Sequence, residues 1–171
     1  MWGITLRASG EAEAFWQRVD EAAAFEATSS IRALGYAPHL TLARFDAIDP
    51  EPLMKSLDVF AGAAPVTLTF DQIATFDADP LVLWLKPRPD ARLLDLHTRL
   101  HAALAGIDGD GHYGPGDWQP HCTIASAVMP EHRAAALDFA RQPVEPITMT
   151  LDVADALQWP PVTRLASREL R

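Results

Sequence analysis

Two short strings in this chain carry the same chemistry, Pro38-His39-Leu40-Thr41 and Pro120-His121-Cys122-Thr123, and each continues into an aliphatic residue and an alanine. An imidazole takes or gives a proton near neutrality, because its unperturbed pKa is about 6.5. A hydroxyl two residues further along an extended strand lies on the same face and can donate to an oxygen on which charge is building. Two such sets supply what displacement at phosphorus needs without a metal: a base on one side, an acid on the other and donors for the oxygens between. His39 and His121 are therefore the candidate catalytic residues and Thr41 and Thr123 the candidate phosphate-binding residues. Neither a metal nor a cofactor is expected.

The resemblance between the two halves extends beyond the tetrads. Tyr36-Ala37 precedes the first and Trp118-Gln119 the second, and Pro65-Val66-Thr67-Leu68-Thr69-Phe70-Asp71 recurs as Pro146-Ile147-Thr148-Met149-Thr150-Leu151-Asp152. The offset is 82 residues at the histidines and 81 at the prolines, which marks an internal duplication with repeats near 30–90 and 112–171. A chain of 171 residues holds one well-buried core, so the repeats are expected to form one bilobal domain over 1–171 and the protein to be a monomer. Apolar residues make up 49%, and no apolar run approaches the roughly 20 residues that cross a bilayer, so no membrane association is expected. The start, Met1-Trp2-Gly3-Ile4-Thr5-Leu6-Arg7, alternates like a strand and lacks the features of a signal peptide, so a cytoplasmic location is expected. Cys122 is the single cysteine, which rules out an internal disulfide framework. A net charge of -9 disfavours a grip on duplex nucleic acid; a few local cations suit a small nucleotide or an RNA end.

Periodicity places the elements. Phe15, Val19, Ala22 and Phe25 or Glu26 form a stripe that predicts a helix over 11–26, and the alternation of 35–45 predicts a strand with His39, Thr41 and Ala43 on one face. A short helix near 50–60, a strand over 65–70, a turn at 77–80 and a strand over 81–86 follow. Asp90 caps a helix with the stripe Leu93, Leu96, Leu100, Leu104, which Gly106 stops. The glycine-rich stretch 106–117 reads as a flexible connection, or else as a loop leaning over the site; its aspartates lack the spacing of a calcium loop. Pro130 and Pro143 bracket another helix, and a strand over 146–152 and a hairpin around Trp159-Pro160-Pro161 complete the chain.

His-Leu-Thr-Leu and His-Cys-Thr-Ile, each entered through proline, resemble the paired signature of the 2H phosphoesterase superfamily, in its branch of 2'-5' RNA ligases, also regarded as RNA 2',3'-cyclic phosphodiesterases. Weaker resemblance covers Val82-Leu83-Trp84-Leu85, the leucine-rich helix after it and Leu165-Ala166-Ser167-Arg168-Glu169-Leu170. The resemblance implies an α+β fold, bilobal with a pseudo-two-fold, in which two antiparallel sheets face a central cleft with helices outside. It implies hydrolysis of a 2',3'-cyclic phosphate on an RNA end or small nucleotide, giving the 2'-phosphate. Alternatives are ligation to a 2'-5' bond, the same chemistry reversed, and a nucleotide-binding or sensing module without turnover. Many members carry an arginine after the second motif, where this chain has Ser126.

Other polar residues fit less specific roles. His97 and His101 have the i, i+4 spacing of a metal pair and would suit a metallohydrolase, but no third ligand is apparent and His97 falls in the leucine stripe, which favours helix packing. His112 and His132 are assigned no chemistry. Pleating turns Cys122 away from the histidine face, toward a core. Strict alternation puts Arg44, Tyr36 and Trp118 on the face opposite the histidines, and among the aromatics that could stack a base, Phe76 and Trp84 are expected mostly in the core.

Overall fold

Strand β1 (Trp2–Arg7) buries Ile4 and Leu6 on one face, and its register aligns Thr5 with Thr41 and Arg7 with His39 in the antiparallel strand β2 (His39–Phe45). Its other edge takes β7 (Val153–Gln158), which carries β8 (Thr163–Glu169), so the first sheet has the order β2-β1-β7-β8. The second sheet repeats the plan as β5-β4-β3-β6, with β3 (Val66–Phe76), β4 (Leu81–Pro87), β5 (Cys122–Val128) and β6 (Ile147–Leu151). These come from a computed structural model that describes residues 1–171. The fold is α+β, two antiparallel four-stranded sheets facing each other, as expected.

The duplication has a visible axis. Strand β3 pairs antiparallel with β6, and at the centre of that ladder Leu68 lies opposite Met149, the residues that hold the same place in the two repeated strings. An antiparallel pair has local two-fold symmetry, so a pseudo-dyad through this ribbon relates β1 to β4, β2 to β5, and the end of β3 to β7. The motif strands β2 and β5 become the edge partners of equivalent strands, Thr41 beside Thr5 and Thr123 beside Trp84. Each motif strand also carries a bulge at the same place: Leu42 is the extra residue in β2 and Ile124 in β5.

Helices close the outer faces by burying one stripe each. Helix α1 (Glu13–Ala22) buries Phe15, Val19 and Ala22; the stretch expected to continue it to 26 tightens into a 3₁₀ turn at Ala23–Phe25, and Glu26 leaves as a bridge to Val128. A short α2 (Ser30–Leu34), not anticipated from periodicity, starts at the Ser29 cap and stops at Gly35, whose φ of 63° suits glycine. Helix α3 (Pro50–Lys55) runs into a 3₁₀ turn at Ser56–Phe60. Helix α4 (Ala91–Ala103) is capped by the Asp90 carboxylate, which accepts from Leu93 N–H at 2.8 Å, and it buries Leu93, Leu96, His97 and Leu100. Helix α5 (Arg133–Ala140) follows a Pro130 turn. One apolar cluster of 37 residues draws on both sheets and these helices.

Two segments differ from expectation. The strand read over 35–45 begins only at His39, because the residues before it leave the ladder and Pro38 offers only its carbonyl, to Ala8 N–H. The glycine-rich connection is tied down: Asp110 N–H donates to Arg44 O at 2.9 Å, the Gly109 Cα packs where a side chain would strike Phe45, and Gly111–Tyr113 forms a 3₁₀ turn.

Glu26 secures the free edge of β5. Its buried carboxylate accepts from the backbone N–H groups of Ser126 (3.0 Å), Ala127 (2.7 Å) and Ser30 (2.9 Å) and from the Ser30 hydroxyl (2.7 Å). Removing it orphans these donors, so Glu26→Ala is expected to lower unfolding free energy by about 3 kcal/mol in urea denaturation, with Glu26→Gln costing less because one oxygen still accepts. A loss within experimental error for Glu26→Ala would show that water replaces the carboxylate there.

Candidate active site

Both histidines are held by one local device. The residue before a proline is pushed into extended backbone, which leaves its carbonyl free of the ladder and next to the imidazole two residues on. His39 Nδ1 lies 2.8 Å from Ala37 O, and His121 Nδ1 lies 2.6 Å from Gln119 O. A carbonyl only accepts, so Nδ1 carries the proton in each neutral ring and Nε2 is the free basic nitrogen, with no partner in the protein. The hydroxyls of Thr41 and Thr123, on the same strand faces and half-buried, are likewise unengaged by other groups. The motif strands approach one another across the sheets, and His39 is near enough to disfavour charge on His121. The four residues singled out by the motifs are therefore brought to one place.

The surroundings of the two imidazoles differ. Around His39 they are polar: Asp155, fully buried, accepts from Arg7 Nε at 2.7 Å and from Tyr36 OH at 2.6 Å, and the Tyr36 oxygen is also 2.9 Å from Thr5 Oγ1. The Tyr36 ring meets His39 edge-on at 4.9 Å. The dyad counterparts of Thr5, Arg7 and Asp155 are Trp84, Lys86 and Ala74, as the registers of β1 with β7 and β4 with β3 show. Around His121 the walls are accordingly aromatic: Phe76 at 5.0 Å, Trp84 at 5.7 Å and Tyr113 at 6.2 Å, with His112 against Phe76 at 5.2 Å.

Burial lowers the His39 pKa from its ordinary value, opposed by the Ala37 carbonyl and the Asp155 charge. Burial also lowers His121, to about 4, against the pull of the Gln119 carbonyl and with help from His112 and His39. Cys122 is buried with its sulfur against the His39 backbone, which leaves the burial-raised thiol at about 12, a core residue as expected.

Three expectations change. The Leu42 bulge reverses the phase of β2, so Arg44 pairs with Gly3 and shares the face of His39 and Thr41 rather than the opposite one. Its guanidinium lies 3.7 Å from Asp110. Tyr36 precedes the strand, so alternation does not govern it and it joins the site. Of the two readings of the loop over 106–117, the flexible connection gives way to the loop leaning over the site: Tyr113 lies against His121 and His112 against Phe76. Trp118 does sit behind the site: its indole N–H donates to Thr41 O at 3.0 Å and its ring stacks on His97 at 4.0 Å. His97 and His101 brace the same region, with Nε2 atoms 2.8 Å from Tyr113 O and 3.0 Å from Leu42 O. Arg7, Thr5 and Asp155 were missed; β1 carried an alternating pattern, but nothing in it told that β2 and β7 would flank it.

Two imidazoles with free Nε2 atoms, unengaged hydroxyls beside them and a pseudo-dyad between facing sheets define a two-histidine phosphoester-type cleft. The model of the 2'-5' RNA ligase superfamily matches residues 11–159, and the chain belongs to that superfamily, the 2H phosphoesterases. Similar solved structures share the fold: one described as a phosphoesterase (TM-score 0.62, 20% identity, 99% of this chain and 98% of that one), and Escherichia coli LigT with NADP+ (0.60, 19%, 99% and 98%) and with 3'-AMP (0.58, 19%, 99% and 97%). No curated protein sequence matches the chain. No helix is long and apolar enough to cross a membrane.

The asymmetry is measurable by histidine NMR titration. His121 is expected to protonate near 4 and His39 below 6.5, and Asp155→Asn should lower the His39 value further, because it removes a charge that favours imidazolium. The unfolded chain takes up these protons near 6.5 while folded His121 and His97 wait until about 4, so stability should fall as pH drops through that window. An ordinary titration of both histidines near 6.5 would refute the burial argument.

Proposed function

We propose that the protein hydrolyses 2',3'-cyclic phosphates of small nucleotides or RNA ends to the 2'-phosphate, with His39 and His121 as the acid/base pair and no metal or cofactor. The observation that carries this reading is the matched pair of imidazoles, each fixed through Nδ1 with Nε2 free, on strands related by the dyad. His121, in the aromatic wall and easily neutral, takes the proton from water as its oxygen bonds to phosphorus. His39, beside the Asp155 charge, gives its proton to the departing ribose 3'-oxygen as the P–O3' bond breaks. Thr41 and Thr123 donate to the non-bridging oxygens as charge grows there. Arg7 adds a cation on the His39 side: Asp155 holds its Nε and its two terminal nitrogens have no protein partner.

The named ligands of the LigT structures, 3'-AMP and NADP+, are nucleotides with phosphorylated ribose, which suits this substrate class. Ligation to a 2'-5' bond runs the same steps with a ribose 5'-hydroxyl in place of water as the group that bonds to phosphorus while the P–O3' bond breaks. A monomer in the cytoplasm meeting such nucleotides remains the setting we propose for it.

Turnover of a 2',3'-cyclic nucleotide is expected to fall about 100-fold or more in His39→Ala and in His121→Ala, with the double variant little worse than either, since both act in one step. Thr41→Val and Thr123→Val should each cost roughly 10- to 1000-fold, with serine restoring much of the rate. Near-normal rates in either alanine variant would end the assignment.

Activity should survive excess chelator, and kcat/KM should follow a bell: lost below about 4 as His121 is protonated, and lost on the alkaline side as His39, lowered by its burial, deprotonates. Loss in chelator with recovery on added zinc would favour the His97–His101 alternative; binding without turnover would favour a sensing module.

A further inference from the structure

The dyad pairs Arg7 with Lys86, yet the two are held differently. Arg7 is drawn against the sheet by buried Asp155 and is 14% exposed. Lys86 faces Gln72 in β3, while the position equivalent to Asp155 is Ala74, so no carboxylate restrains it; it is exposed and makes no ion pair. Strand β4 therefore ends in a free ammonium one residue beyond Leu85, which pairs with Cys122 next to His121.

That ammonium stands on the wall of a cavity of about 330 Å³ between the end of β4, the start of α4 and the Trp118-Gln119-Pro120 approach to His121. Its apolar lining includes Trp84, Leu93 and Trp118, and Leu94 stands 47% exposed among the lining residues. Of the other charges there, Arg88 is drawn by its Nε to Asp71 at 2.8 Å and Asp90 caps α4, which leaves Lys86 as the cation without an ion pair. Trp84 is 3% exposed, and its indole N–H is buried without an acceptor. A flat, largely apolar ring attached to an anion complements a pocket that offers aromatic and aliphatic walls and a free cation.

We propose that this pocket is a subsite for a second nucleotide, taking the base of the residue on the 5' side of the cyclic phosphate, with Lys86 on the phosphate that links the two. The assignment rests on the phosphodiesterase reading and narrows it: the preferred substrate is the end of an oligonucleotide rather than a free nucleoside cyclic phosphate. On this assignment the chain leaves past His121, along the Trp118-Gln119-Pro120 approach.

The test compares kcat/KM for uridine 2',3'-cyclic phosphate, its 5'-phosphorylated form and the dinucleotide ApU ending in the cyclic phosphate. Wild type is expected to gain about 10-fold from the 5'-phosphate, a charge-assisted contact, and several-fold more from the adenosine. Lys86→Gln should abolish the phosphate-dependent gain and leave uridine cyclic phosphate within about twofold of wild type. Leu94→Glu should reduce the dinucleotide gain alone.

Equal kcat/KM for the three probes would overturn the subsite while leaving the phosphodiesterase reading intact. Absence of turnover on all three would defeat that reading instead. Calorimetric titration with ApU 3'-phosphate against uridine 3'-phosphate then decides the subsite on its own: tighter binding of the dinucleotide that is lost in Lys86→Gln supports it, and equal binding overturns it.

Discussion

The antiparallel ladder between β3 and β6 is the constraint on which the site depends. Val66 to Phe70 pair with Leu151 to Ile147, so equivalent segments of the two repeats hydrogen-bond to one another about a local two-fold. Each segment then continues into the partner of a different motif strand's neighbour: β3 runs on to β4, and β6 passes through Asp152 into β7 and β1. Asp152 anchors that passage, accepting from Ser9 N–H at 2.8 Å and Ser9 Oγ at 2.5 Å while its own N–H donates to Arg7 O. A register slip of one residue in the ladder would turn every buried side chain of β6 outward, so packing locks the relation between the sheets. The separation of the two motif strands follows from that lock.

Within this frame the geometry of each imidazole is local. Proline before histidine frees the carbonyl that holds Nδ1, and the bulge three residues after each histidine lets the strand change phase once its threonine has been placed. The phase change matters because it buries Ala43 and Phe45 where plain alternation would have buried Arg44. The lobes share the device but use it differently. Arg44 faces the cleft with Asp110 beside it, whereas the second lobe has Ser126, whose backbone is taken by Glu26.

Sequence periodicity read this architecture well where a pattern was long and local. The Leu93–Leu96–Leu100 stripe and the Asp90 cap appear where periodicity and capping put them. The repeated strings even marked the axis, since Leu68 and Met149 occupy one register. What escaped was set by pairing rather than by pattern. A bulge is an extra residue in one strand relative to its neighbour, so Leu42 carries no signal until β1 lies beside it. Asp155 sits in an apolar strand, and its partners Arg7 and Tyr36 are distant in sequence. The loop over 106–117 reads as flexible from its glycines, yet Gly109 is there because Phe45 and Arg44 leave no room for a side chain.

A two-fold site poses a problem that the substitutions around it address. Acid/base displacement, on the reading proposed above, requires one imidazole neutral and the other protonated, whereas perfect symmetry would give both the same affinity for protons. A buried carboxylate beside one ring only is the smallest change that separates them. Asp155 would be costly alone, and the Arg7 guanidinium and Tyr36 hydroxyl offset that cost with charge-assisted hydrogen bonds. In the other lobe Ala74 and Trp84 replace Asp155 and Thr5, which removes the charge and adds apolar surface next to His121. Both changes act in the same direction: one favours imidazolium at His39 and the other disfavours it at His121. The duplication thus provides position twice, and on the proposed reading the departures from it set the direction in which the proton moves.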